Sequence, residues 1–131
     1  MIVLDASSVV ELLLRTDLGD VVAERIATPS ESLHVPHLLD IEVLHALRRY
    51  SLKGQLSPDR AADAVRDLMD LDLTRYSHDV LAPRIWELRV NATAYDAAYI
   101  ALAEVLGARL VTCDVRLGAV PDRRIEIEVI A

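Results

Sequence analysis

Phenylalanine is absent from the 131-residue chain, which also holds only one cysteine, one tryptophan and four glycines. The lone Cys113 excludes a disulfide scaffold and fits a reducing compartment. The scattered glycines never form Gly-x-Gly-x-x-Gly, which excludes a dinucleotide-binding loop. No apolar run reaches the length of a membrane span, because Asp or Glu interrupts every candidate. Met1 to Arg15 has no basic leader and carries Asp5 and Glu11 inside its apolar stretch, unlike a signal peptide. The expectation is a soluble, cytoplasmic protein with no membrane partner. Positive charge is in deficit too: 14 basic against 21 acidic residues leave a formal net charge of −7. Taken alone, that deficit argues against nucleic acid and anionic lipid. Net charge does not say where the charges sit, however, and a local acidic site changes its meaning.

What the chain does have is core material, since 53% of its residues are hydrophobic. That content excludes disorder and suits a single domain over residues 1–131. Short aliphatic runs at Ile2–Leu4, Leu33–Val35 (closed by Pro36), Leu71–Tyr76, Arg109–Cys113 and Ile125–Ile130 predict strands. Between them lie helical patterns at 6–14, about 19–27, 37–52, 57–69, 79–89 and 93–106. Asp5 or Ser7 caps the first, Ser57-Pro58 opens the fourth, and Gly107 ends the last. Pro83 marks either a kink or a later start. Leu39, Val43, Ala46, Leu47 and Tyr50 form one stripe of the third helix. Val21, Val22, Ile26, Ala61, Ala64, Val65 and Leu68 read as core rather than interface. Strands alternating with helices predict an α/β fold with a mainly parallel central sheet flanked by helices.

Ligands of such sheets bind beyond the carboxyl ends of the strands. Two strands end there in the same residue type, at Asp5 and Asp114. Each has an ordinary explanation as a helix N-cap, and Asp96 has one as the fourth residue of a Thr93–Asp96 capping box. Glu42 is harder to dismiss, because apolar residues flank it inside a helix; its ordinary reading is a charge at the stripe's edge beside His45 and Arg49. Strand alternation puts Thr112 and Asp114 on one side and sends Cys113 into the core. If the four carboxylates converge, any two about 4 Å apart repel by roughly 4 kcal/mol at an effective dielectric of 20. Such a pocket calls for a cation. An oxygen-only donor set selects Mg²⁺ or Mn²⁺ over Zn²⁺, and such an ion suits phosphodiester hydrolysis by activated water.

The stretches Met1–Ser7, Tyr95–Ala103 and Thr112–Leu117, together with Glu42, resemble the PIN-domain ribonucleases. The likeness is closest to the VapC toxins of toxin–antitoxin pairs, and it runs over essentially the whole chain. Tyr95-Asp96-Ala97-Ala98-Tyr99-Ile100-Ala101-Leu102-Ala103 is its most specific part. The resemblance implies a Mg²⁺- or Mn²⁺-dependent endoribonuclease with an RNA substrate, a small VapB-like antitoxin partner and a homodimeric assembly. It implies Asp5, Glu42, Asp96 and Asp114 as catalytic acids, with Asp5, Asp96 and Asp114 on the metal. Ser7 and Thr112 match its supporting hydroxyl positions. Some relatives carry a further acid just past the fourth; here Val115, Arg116 and Leu117 follow, and Asp122 lies too far along. One ion rather than two is therefore expected.

Thirteen of the basic residues are arginine, whose fork suits phosphate, although a GC-rich genome would give the same excess. Arg116 lies nearest the acids and is the expected substrate contact; Arg48-Arg49 are further candidates, and Arg123-Arg124 read as solvated charge. His34 and His37 have no cysteine nearby, against a zinc site, and read as loop and helix-end residues. A haloacid-dehalogenase phosphatase needs Asp where Ser7 stands, and a receiver domain needs a strand-end lysine, whereas Lys53 follows a helix. The main alternative is a non-catalytic α/β binding module whose carboxylates are helix caps.

Overall fold

The aliphatic runs become five short parallel strands in a computed structural model that describes residues 1–131. β1 (Ile2–Leu4) leads into α1 (Ala6–Leu14) and α2 (Asp17–Ile26), and β2 (Leu33–Pro36) into α3 (Leu38–Leu52) and α4 (Pro58–Asp70). β3 (Leu73–Tyr76) precedes α5 (Ala82–Glu87) and α6 (Ala94–Leu106); β4 (Arg109–Thr112), α7 (Val115–Gly118) and β5 (Ile127–Val129) complete the chain. The sheet order is β3-β2-β1-β4-β5, with every pairing parallel, as the alternating pattern predicts. The chain builds outward from β1 through β2 and β3, then returns to lay β4 on β1's other side. That reversal opens a crevice at the carboxyl ends of β1 and β4.

Register brings the two ends level. Leu4 pairs with Val111, so the residues that follow, Asp5 and Thr112, emerge side by side. Ile2, Val3 and Leu4 are all buried although successive strand residues face opposite sides, so both faces of the sheet are covered there. α6 lies across β1, β2 and β4, and every residue from Ala97 to Ala103 is buried. Its alanines let that helix approach the sheet closely. α1 packs on α2, α3, α4 and β4.

Several boundaries differ from the sequence pattern for local reasons. The Thr16 hydroxyl accepts the Gly19 N–H, so α2 starts at Asp17 rather than Gly19. Pro83 falls in the first turn of α5, which resolves the choice between kink and later start in favour of the latter. Pro36 ends β2 from within rather than lying just past it, β3 begins at Leu73, and β5 is confined to three residues. Val21 and Val65 are exposed, not core: Val22 on α2 and Ala64 with Leu68 on α4 take the buried stripes, and the neighbouring valines rotate outward. Tyr50 likewise leaves the α3 stripe for the surface. His34 is not a loop residue but a buried one in β2, bonded to Ser32 and to the Tyr76 hydroxyl. Arg84 ties α5 to Glu104 of α6 through two hydrogen bonds and also donates to the Asp122 carbonyl.

α1 and α2 touch backbone to side at Gly19, where an added Cβ would stand 2.1 Å from the Glu11 carbonyl oxygen. Neither helix can yield without moving its own hydrogen-bond ladder. Gly19→Ala is expected to cost about 2–3 kcal/mol of stability, read as a lowered urea midpoint at unchanged slope. A variant as stable as the parent would show that the two helices are not held at this spacing.

Candidate active site

Asp5 sits at the level end of β1, only 5% exposed, and starts α1 by accepting the Ser8 N–H on Oδ1 at 3.0 Å. A cap uses one oxygen lone pair, and this carboxylate takes much more. The Ser7 hydroxyl lies 2.8 and 2.9 Å from its two oxygens, and the Ser8 hydroxyl 3.0 Å from Oδ1. Thr112 donates to Oδ2 at 2.6 Å from the neighbouring strand. The same Thr112 oxygen accepts the Asp114 N–H at 2.9 Å, and Ser7 Oγ accepts the Cys113 N–H at 3.0 Å. These bonds close a network that fixes the end of β4 to the start of α1. Burial pushes the Asp5 carboxyl above its ordinary range, and the Thr112, Ser8 and Ser7 donors pull it partly back. Cys113 is half-buried against the core, and burial pushes its thiol up to about 11.

Glu42 reaches the same place from α3, which begins immediately after β2. Its Oε1 accepts the hydroxyl of the buried Tyr99 on α6 at 2.6 Å. Burial raises the Glu42 carboxyl; the Tyr99 bond opposes this, and repulsion from Asp96 and Asp5 adds to it. Asp96 stands in the first turn of α6, where the Thr93 hydroxyl accepts its N–H at 3.1 Å. Its carboxylate is raised by burial and by Asp114, against the pull of Arg116. Asp114 caps α7 by accepting the Arg116 N–H at 2.9 Å. Its own carboxyl is held low, mainly by the guanidinium of Arg116, which reaches Oδ1 at 3.3 Å and Oδ2 at 3.1 Å.

One cavity of about 590 Å³ is lined by Asp5, Glu42, Asp96 and Asp114, together with Ser7 and Arg116. Thr112 lies buried directly behind Asp5. The four acids, Ser7, Thr112 and Arg116 are therefore gathered at the crevice, while Arg48 lies outside its lining and Asp122 is bonded to Asn91 away from it. Arg116 lines the cavity with its guanidinium already engaged by Asp114. Sequence reasoning assigned no role to Ser8, Tyr99 or Glu11, the last also lining the cavity and accepting the Thr16 hydroxyl. Tyr99 stood inside the most specific motif, three residues past Asp96, and a helical reading of that spacing places both on one side of α6.

The donor set facing this cavity fits a hard divalent cation. It offers mainly carboxylate and hydroxyl oxygens, with one imidazole at His45 and no thiolate, and three of its carboxyls are displaced toward protonation by burial. No three of these side chains stand close enough together to form a finished ion cage.

The parallel sheet with its crevice at the switch point is that of an α/β domain, and residues 2–123 match the PIN domain. The chain belongs to the PIN-domain family. Its relatives within that family carry the name VapC ribonuclease. Ribonuclease VapC9 of Mycobacterium tuberculosis is 43% identical over 117 residues, covering 89% of this chain and 88% of its own. Ribonuclease VapC12 of the same organism is 39% identical over 131 residues, covering the whole of both chains. Among solved structures, VapBC2 of Rickettsia felis, bound to a DNA fragment from its promoter, superposes with TM-score 0.70 at 16% identity over both full chains. The Mycobacterium tuberculosis toxin VapC20, which cleaves the sarcin–ricin loop, gives 0.69 at 15% identity, covering 91% of this chain and 94% of its own. These two structures show the fold alone.

Burial and the neighbouring Asp96 and Asp5 penalise the ionised form of Glu42. Its folded-state pKa lies above the unfolded one, so ionising it works against folding. Glu42→Gln keeps an acceptor for Tyr99 and removes that charge. Its metal-free form is expected to melt about 2–4 °C higher near pH 7. The gain should close below about pH 4.3, where the carboxyl is protonated in both states. An unchanged or lower melting point near pH 7 would show that the acids do not strain one another.

Proposed function

We propose that the protein is a metal-dependent endoribonuclease acting as the toxin of a toxin–antitoxin pair. The observation that carries this reading is the gathering of Asp5, Glu42, Asp96 and Asp114 on one cavity in a chain about 40% identical to named VapC ribonucleases. We assign catalysis to these four acids. Asp5, Asp96 and Asp114 would hold Mg²⁺ or Mn²⁺. When bound, that ion supplies an activated water at neutral pH and offsets negative charge on the phosphodiester.

The remaining tasks belong to the chain. Asp5 is immobilised by Ser7, Ser8 and Thr112, so it presents its carboxylate without reorganising. Tyr99 fixes Oε1 of Glu42 and leaves the other oxygen free to accept a proton or orient a water. The Arg116 guanidinium is bound to Asp114 and keeps further N–H donors exposed for an RNA phosphate. Helix capping explains Asp5 and Asp114, as the binding-module alternative requires, but Glu42 lies mid-helix and caps nothing.

A small antitoxin, a second copy of the chain and a cytoplasmic setting belong to the same proposal. Ile41 and Tyr95 stand exposed on the cavity wall, an apolar margin suited to an inserted antitoxin segment. No helix is long and apolar enough to cross a membrane.

Antitoxin-free protein is expected to cleave RNA with Mg²⁺ or Mn²⁺ and to lose all cleavage in EDTA. Asp96→Asn should lower the rate at least about 100-fold. Equal cleavage by parent and variant, or cleavage in EDTA, would refute the assignment. Titration calorimetry with Mn²⁺ should show Asp114→Asn binding about tenfold more weakly than the parent. Unchanged affinity would remove Asp114 from the metal site.

A further inference from the structure

The acid cavity does not end at the carboxylates. It continues along α3, where Glu42, Ala46 and Arg49 follow one another at helical spacing and all line its wall. Seven residues of rise separate Glu42 from Arg49 by about 10 Å along the helix axis. Ala46 is buried between them and leaves the floor open where a larger side chain would fill it.

Arg49 is one of seven arginines, among thirteen, that enter no ion pair. Arg25, Arg66, Arg75, Arg84, Arg109 and Arg116 are each neutralised by a carboxylate. Of the two arginines lining the cavity, Arg116 is held by Asp114, and Arg49 enters no ion pair. Its neighbour Arg48 lies outside the cavity lining. On the cavity's acid side, Tyr95 precedes Asp96 and is 62% exposed, its ring free to lie against a planar group.

An unpaired guanidinium two helical turns from a carboxylate centre, with an exposed aromatic beside that centre, matches what a single-stranded nucleic acid offers. It has phosphates at intervals along its backbone and bases whose faces stack. We propose that Arg49 and Tyr95 form a substrate subsite for the single-stranded RNA flanking the cleaved bond. Arg49 takes a phosphate other than the one being cut, and Tyr95 stacks on a base next to the cut. This rests on the ribonuclease reading and moves the principal phosphate contact from Arg116 to Arg49. An RNA duplex presents neither splayed bases nor a strand free to follow the α3 wall, so the subsite selects single strands.

The test is anisotropy of a short fluorescein-labelled single-stranded RNA, titrated in EDTA at several salt concentrations. Arg49→Gln should weaken binding about fivefold to tenfold and reduce the salt slope by roughly one. Tyr95→Ala should weaken it about tenfold with the slope unchanged, and Tyr95→Phe should restore it. Arg48→Gln, with the same charge change outside the cavity, should match the parent. Arg49→Gln binding like Arg48→Gln, Tyr95→Phe as weak as Tyr95→Ala, or duplex RNA bound as tightly as single-stranded would each overturn the subsite. Cleavage of the same RNA with Mg²⁺ is scored separately. Absence of cleavage by the parent refutes the ribonuclease reading, whereas cleavage with Arg49→Gln binding at parental strength refutes the subsite alone.

Discussion

The geometry of the cavity depends on one buried carboxylate. Asp5 is taken out of water at the junction of β1 and α1, and an ionised group there survives only if the surroundings supply donors. Ser7 and Ser8 supply them from the helix that Asp5 itself caps, and Thr112 from the strand next door. Those bonds also serve as the fastening between β1 and β4. The Thr112 hydroxyl that donates to Asp5 receives the Asp114 N–H, so satisfying the first acid sets the start of the segment that bears the last one. Local folding and site assembly are here the same set of hydrogen bonds.

This arrangement gives the chain's charge a distribution as well as a sum. A net charge of −7 does not repel RNA uniformly, because many carboxylates are spent on arginines across the surface. Asp5, Glu42 and Asp96 enter no ion pair and line the crevice, where burial holds them toward protonation. A divalent ion bound there would relieve that strain where a phosphodiester approaches. The buried acids of the crevice, rather than the net charge, argue for a cation.

Much of this was legible in the residues. Aliphatic runs interrupted by helical periods specify a parallel sheet, and acids at the ends of Ile2–Leu4 and of the 109–113 run mark its functional edge. Glu42 was singled out because a carboxylate amid Leu39, Ile41, Val43 and Leu44 needs a reason to be there. Tyr99 supplies part of that reason, and only tertiary packing shows it, since α3 and α6 meet 57 residues apart in sequence. Val21 and Val65 misled because a valine beside a buried stripe carries the same side chain whether it faces in or out. Arg116 and Arg49 could not be ranked by spacing at all. Their difference lies in which one finds a carboxylate, and Asp114 caps the very turn that bears Arg116.

The central claim is that these acids take up a single divalent cation anchored on Asp5. Anomalous diffraction from crystals soaked in Mn²⁺ tests it most directly. The account predicts one strong peak in the cavity bonded to Asp5, with Ser7 and Thr112 still holding that carboxylate, and no such peak in crystals of Asp5→Asn. A cavity empty of Mn²⁺, or a peak that persists without the Asp5 carboxylate, would contradict it.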